Sequence, residues 1–225
     1  MQDERINADF TRRVVIATGE LPWIASPTAG VERRLLDRIG VEVARATSLV
    51  RYAGGSTFPA HAHRMGEEFL VLDGVFSDEH GDYPKGTYVR NPPGTLHAPR
   101  TEPGCIILVK LRQMTLEETV RVVIDTNAAI WEAGNTPDLT RLPLHRASDT
   151  GERVALERLA GGTCICEGDC PGGEEIFLLS GTLRDEYGSY EAGTWIRNPH
   201  GFRRSLQSPD GAEYWVKRGH LRPTS

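Results

Sequence analysis

Apolar and polar positions change over in short runs along this chain, most of them bounded by glycine or proline. "ARATSLVRY" (44–52) and "ERVALERL" (152–159) are alternating or apolar stretches rich in strand formers. "EEFLVLDG" (67–74), "GTYVRNPPG" (86–94) and "GCIILVKL" (104–111) are short runs closed by Gly and Pro. Glycine supplies turns of positive φ, and proline keeps a segment out of a helix. Many short strands joined in this way predict an all-β sandwich or closed barrel. "TLEETV" (115–120) is an exception, predicting a short helix with Thr115 as its cap.

The pattern occurs twice. The stretch from Ala53 to His97 aligns without a gap on the stretch from Ala160 to Arg204, a shift of 107 residues. Gly74, Asp78 and Gly86 match Gly181, Asp185 and Gly193, and "RNP" at 90–92 matches "RNP" at 197–199. Further upstream, "RVVIATGELPW" from Arg13 matches "RVVIDTNAAIW" from Arg121, a shift of 108. The chain is two copies of one unit. The join falls near Gln113–Glu118, which predicts domains at 1–113 and 114–225.

The 225 residues are 39% hydrophobic and 25% charged, with a net charge of −5, an ordinary balance for a globular protein. Nothing in it suggests a phosphate-binding surface, so nucleic acid is not an expected partner. No apolar stretch approaches the roughly 20 residues of a membrane helix. The charged start "MQDERINADFTRRVVI" lacks the apolar core of a signal peptide. A cytoplasmic protein is expected. The four cysteines agree, three of them crowded into "CICEGDC" (164–170) rather than spread as a disulfide framework.

The chemistry concentrates in "PAHAHRMGEEFLVLDG" (59–74). Residues two apart on an extended strand point the same way, so His61 and His63 project to one side. Glu67 follows on the next strand, sharing a face with Phe69 and Val71, while Glu68 takes the other. His97 closes the turn "NPPGTLH" (91–97) and can supply a third imidazole. Imidazole plus carboxylate suits Fe(II), Mn(II), Ni(II), Cu(II) or Zn(II).

The spacing G-x5-H-x-H-x3-E-x6-G from Gly55 to Gly74, and G-x5-P-x-G-x2-H from Gly86 to His97, resemble the two motifs of the cupin superfamily. The second departs only in Thr101, where that motif has a non-ligating Asn. The resemblance implies two tandem cupin barrels (double-stranded β-helix, jelly roll), a bicupin, with His61, His63, Glu67 and His97 as metal ligands. It implies one divalent transition metal per chain, zinc first, with iron, manganese and nickel as alternatives. Within cupins the stretch 54–97 most resembles the ChrR-type group, which includes the zinc-binding cupin domain of anti-sigma factors. A sigma factor is thus a partner by resemblance only. The ChrR proteins carry an N-terminal helical His/Cys zinc domain, whereas the residues before Gly54 here read as β without His or Cys.

The second copy is an internal control. His61, His63, Glu67 and His97 become Gly168, Cys170, Glu174 and Arg204. The second barrel is therefore expected to be metal-free and structural. Residues kept in both copies, Glu68/Glu175, Arg90/Arg197 and Asn91/Asn198, read as parts of the fold. Cys164, Cys166 and Cys170 read first as small buried apolar residues. A thiolate site of Cys166, Cys170 and Glu174, or a redox pair, are the alternatives. His80, His145, His200 and His220 read as surface residues. The matched aromatics Tyr88/Trp195 and Trp23/Trp131 read as core. Phe58, Met65 and Phe69 flank the ligands, so a cavity there would draw on some of them.

Three functions fit these residues. The first is a metal-binding ChrR-like cupin with a regulatory or ligand-sensing role, anti-sigma-factor-like without the sigma-binding domain. The second is an Fe(II)-dependent dioxygenase of a small diketone or aromatic ketone. The third is a binding module for a small molecule or sugar. Fold alone does not choose among them, and no catalytic group outside the ligand set stands out. A small-molecule ligand and a homodimer are further expectations.

Overall fold

The structure, a computed structural model, describes residues 4–41, 43–147 and 150–221, and the side chains of all of these but 166–169. Among the described residues, regular structure is strand throughout, apart from a three-residue 3-10 turn at Thr18–Glu20. "TLEETV" does not form the predicted helix. It makes a turn in which Glu118 N–H donates to Thr115 O (3.3 Å) and Thr115 N–H to Glu118 Oε1 (3.3 Å). The other oxygen of Glu118 accepts from Arg90 Nε (2.9 Å) and Nη2 (2.6 Å), so the segment is drawn onto a strand. Six residues offer too little helix to compete with that ion pair.

The chain divides into two compact units. In the first, the long sheet runs Arg5–Ile6, Val31–Ile39, Arg45–Tyr52, Cys105–Leu111, Glu67–Asp78, Thr87–Asn91 and Val122–Asp125. In the second it runs Glu132–Ala133, Leu139–Arg146, Arg153–Leu159, Ala212–Arg218, Glu174–Asp185, Thr194–Asn198 and Val14–Ala17. All neighbours are antiparallel. These are two tandem jelly-roll barrels of the same strand order from Val31–Ile39 and Leu139–Arg146 onward; at the edge before it, Ile24–Ala25 pairs with Val31–Ile39 as Glu132–Ala133 does with Leu139–Arg146, and Arg5–Ile6 is an addition of the first unit.

The units differ from the linear division at 113/114. The first comprises Met1–Ala8 and Pro22–Ala129, the second Asp9–Leu21 and Ile130–Ser225. The cause is strand exchange. The two "RVVI" segments each pair with the barrel of the other copy, Val123 opposite Val89 and Val15 opposite Ile196. Matching hydroxyls fix both: Thr126 Oγ1 donates to Gly86 O and Thr18 Oγ1 to Gly193 O, each at 2.6 Å.

Glu67–Asp78 is long enough to serve two layers. Its first half pairs in the long sheet, and its second half pairs with Gly81–Pro84 in a shorter one. Gly74 stands at the change, at φ +69, where an added Cβ would lie 2.0 Å from Gly104 O. Gly181 repeats this at φ +76 and 1.9 Å from Gly211 O. Only glycine fits such an approach.

The hairpin that carries the histidines differs between units. In the second, Thr163–Asp169 pairs along Arg203–Ser208 as one ladder with a single irregularity. In the first it is broken in two, Ser56–Thr57 with Arg100–Thr101 and His61–Ala62 with Leu96–His97. Pro59 and Pro99 stand at the break and have no N–H for the ladder. Their counterparts are Cys166 and Leu206.

Phe69, Phe76, Val89, Ile107 and Val109 centre the first core, and Ile176, Leu178, Ile196, Leu206 and Val216 the second. Tyr88 and Trp195 are buried as expected. Trp23 and Trp131 are not core but half-buried platforms, with Arg34 and Arg51 over Trp23 and Arg158 over Trp131 at 3.7–4.5 Å. Their rings satisfy guanidinium faces on the sheet surface.

Candidate metal centre

The broken hairpin and the start of Glu67–Asp78 bring four side chains together. His61 and His97 are cross-strand partners in the short ladder. Glu67 stands opposite Asn91 and Leu111. One ligand atom from each of His61, His63, Glu67 and His97 lies within 4.8 Å of the other three. All four residues singled out by spacing thus converge.

Each imidazole is held by its Nδ1 edge. His61 Nδ1 faces Pro59 O (3.1 Å), His63 Nδ1 faces Thr95 Oγ1 (2.9 Å), and His97 Nδ1 faces Asp78 Oδ2 (3.3 Å). In His63 and His97 this turns Nε2 inward, each 3.4 Å from Glu67 Oε2. Both Nε2 atoms are buried without a hydrogen-bond partner. Buried nitrogens left unsatisfied in this way are costly unless something else engages them. Burial brings His63 down to about 3, with His97 and His61 adding to it, and lowers His97 as well. The rings of His63 and His97 are therefore neutral, with lone pairs free to donate. Burial pushes the Glu67 carboxyl up to about 7 against the hydrogen bond from Asn91. A cation among these groups would relieve that burial of charge. The donor set fits one divalent transition metal.

Further residues hold these four side chains, and sequence reasoning passed over them. Asp78 and Asn91 recur in both copies and so read as parts of the fold, yet here Asp78 orients His97 and Asn91 Nδ2 reaches Glu67 Oε2 (3.3 Å). Arg121, from the exchanged strand, binds Asn91 Oδ1 through Nε (2.9 Å) and Tyr83 Oη through Nη2 (2.7 Å), 3.8 Å from Asp78 Oδ2. Such outer partners set ring orientation and ligand basicity. The match of Arg121 to Arg13 was the available clue. Arg13 makes the same set in the second unit, to Asn198 Oδ1, Tyr190 Oη and Asp185.

The second unit fills the corresponding place differently. Arg204 stands where His97 would, its Nε donating to Glu174 Oε1 (2.6 Å), which also accepts from Asn198 (2.8 Å). Arg218 bridges from Glu157 (2.7 Å) to Glu174 Oε2 (3.2 Å), and Arg141 meets Glu157 at 2.7 Å. Burial would raise both carboxylates, but the guanidiniums outweigh it and hold each down to about 2. With Glu174 so engaged, the thiolate alternative loses its carboxylate. Cys170 is buried, as expected of a small apolar residue, but Cys164 is exposed at the surface; the Cys166 side chain lies outside the described residues. His220 is not a surface residue either. Its side chain is buried and its Nε2 lies 2.9 Å from Glu175 Oε1. His145 is half-buried; His80 and His200 are exposed. Glu68 pairs with Arg90 in the first unit, consistent with a role in the fold.

Beside the candidate ligands of the first unit is a cavity of about 410 Å³ whose wall includes His61, His63 and Glu67. Phe58 lines it, Met65 is exposed instead, and Phe69 belongs to the core. No helix among the described residues is long and apolar enough to cross a membrane.

The fold has counterparts. A family model described as the ChrR Cupin-like domain matches the chain twice, over residues 11–115 and 119–222. Curated proteins give no match. Among solved structures, the chain is similar to a protein of Nostoc punctiforme named a "putative dioxygenase", at 15% identity and a TM-score of 0.77, over 96% of this chain and 85% of that one. It is similar to the bacterial pirin YhhW of Escherichia coli in complex with nickel(II), at 11% identity and a TM-score of 0.68, over 95% of this chain and 100% of that one. The oxalate decarboxylase of Lactobacillus farciminis in its formate complex gives 10% identity and a TM-score of 0.61, over 93% and 87%. At these identities the likeness is one of fold. With two family matches spanning nearly its whole length, the chain belongs to the ChrR cupin-like domain family and carries that domain in tandem.

Proposed function

We propose that the first unit binds one divalent transition metal through His61, His63, Glu67 and His97 and presents it to an oxygenated small molecule in the adjoining cavity, as an Fe(II)-dependent oxygenase. The observation that carries this is the cavity itself. Three of the four ligands form part of its wall, whereas a structural metal site is closed on all sides. Bound iron would supply Lewis acidity and redox chemistry with O2 at positions that four protein ligands leave open. Asp78 and Thr95 hold His97 and His63 in the orientation that directs Nε2 inward. Val50, Phe58, Val109 and Leu111 give the cavity an apolar wall that limits water around the reacting groups. The fold-level likeness to the chain named a dioxygenase agrees with this reading.

The ChrR description of the family favours a second reading, in which a zinc-bound centre senses the same small molecule without turnover. A sigma factor or a second copy of this chain as partner belongs to that reading. Oxygen uptake separates the two. The Fe(II)-loaded protein should consume O2 with a small diketone or aromatic ketone, the His61→Ala variant should not, and Cys164→Ser should match the parent. Binding of such a ketone by the zinc form, with no uptake by the iron form, would contradict the oxygenase and leave the sensor.

A further inference from the structure

The cavity of the first unit carries more charge than a neutral ketone needs. Arg33, Arg38, Arg64 and Arg112 line it, and the one carboxylate among its described lining residues is Glu67, which belongs to the candidate metal centre. Arg38 meets Glu4 at 2.9 Å, and Arg33 donates to Ser26 Oγ at 2.7 Å. Among the described residues, neither Arg64 nor Arg112 is paired with a carboxylate.

Arg112 is held there at a cost. Its φ is +58, a left-handed conformation that a residue with a Cβ rarely adopts. The second unit has Gly219 at the same place, at φ +84. The backbone job is identical in both: Arg112 N–H donates to Gly66 O (3.0 Å), and Gly219 N–H to Gly173 O (2.9 Å). Glycine performs it without strain, so the fold does not call for arginine here. What the arginine adds is a guanidinium at the cavity. Arg64 likewise replaces a residue that bears no charge, Pro171.

Two further differences open the space. Val50 and Leu111 line the cavity where the second unit has Glu157 and Arg218, which close on each other and on Glu174. Relative to its sister, the first copy therefore lacks that internal ion pair and has, among the described residues, two arginines without a carboxylate partner beside an apolar wall.

We infer that this cavity takes a small organic carboxylate with an apolar body, its carboxylate met by Arg112 and Arg64 and its body by Val50, Phe58, Val109 and Leu111. Guanidinium is planar and matches a carboxylate in a two-point contact. A volume of about 410 Å³ suits a compact acid. Inorganic phosphate would gain nothing from the apolar wall. The inference names the ligand class of the proposed metal site and rests on that reading for where the rest of the ligand lies, but the arginine contact is testable without metal.

The test is calorimetric titration of the full chain, nickel-loaded and chelator-stripped, with phenylpyruvate, its methyl ester and inorganic phosphate, alongside metal analysis. Phenylpyruvate should bind at least ~10-fold more tightly than the ester or phosphate. Arg112→Gly keeps the backbone conformation and relieves strain, so it should fold at least as stably as the parent. It should nonetheless lose ~10-fold or more in affinity for phenylpyruvate and none for the ester. Equal affinity for acid and ester, tighter binding of phosphate, absence of phenylpyruvate binding, or an Arg112→Gly variant that binds like the parent would each overturn the inference. Arg112-dependent binding by protein that takes up no metal would uphold it while removing the metal reading.

Discussion

Arg204 Nε lies 2.6 Å from Glu174 Oε1, at the position where the first unit has His97 Nε2 facing Glu67 Oε2 at 3.4 Å. The two copies solve one problem, a glutamate buried inside a barrel, in two ways. One supplies guanidiniums of its own. The other leaves three imidazoles around the carboxylate, an arrangement suited to a cation from outside.

Acid should therefore act on the second unit through Glu157 and Glu174. Both are held down to about 2 from an ordinary 4.5. A depressed carboxylate contributes stability that is complete above its unfolded value and is lost as pH falls through its folded one. The denaturant midpoint followed by Trp195 and Trp215 fluorescence should fall steadily from pH 4.5 toward 2. Glu174→Gln should flatten that dependence and cost about 3–5 kcal/mol, because Arg204 and Arg218 would stay buried with less compensation. A midpoint insensitive to pH over that window would show that the pairs contribute nothing net.

Arg121 and Arg13 allow a matched pair of substitutions. Both carry the same contacts, but only Arg121 backs the candidate ligands. Arg121→Ala should weaken metal binding by about 10- to 100-fold in a competition assay with a chromogenic chelator. Arg13→Ala should lower thermal stability and leave metal affinity as it was. Equal effects on affinity from both would mean that Arg121 acts through general loosening of the fold.

Gly74→Ala and Gly181→Ala should each destabilise by more than about 2 kcal/mol, from positive φ and from a Cβ driven into a carbonyl. Gly55→Ala is the comparison, since its added Cβ meets nothing within 4 Å and only the φ penalty remains. Urea titrations ranking Gly55→Ala as the most harmful would contradict the close-approach argument.

Much of this was legible in the residues. Strand runs and the repeat give two all-β units, each a sandwich or closed barrel, because glycine and proline punctuation is local chemistry; the choice of barrel comes from the resemblance of the two motifs to those of cupins. His61, His63, Glu67 and His97 could be picked out because their spacing encodes their geometry. The exchange of Val14–Ala17 and Val122–Asp125 was not legible: a repeat shows that two segments are alike, not which barrel each one pairs with. Asp78 and Asn91 were hidden by the comparison itself. They recur in both copies because the Arg–Asn–Tyr–Asp set serves both folds, and only the first copy turns it toward histidines. The ion-pair interior of the second unit depends on Glu157 and Arg218, whose meeting across strands far apart in sequence leaves no local pattern.

Metal content per chain tests the account most directly. After reconstitution with zinc or nickel and removal of excess, elemental analysis should give one equivalent per chain, lost in a His63→Ala/His97→Ala variant and kept in Cys170→Ser. Two equivalents per chain with one removed by Cys170→Ser, or one equivalent that survives the double histidine substitution, would contradict it.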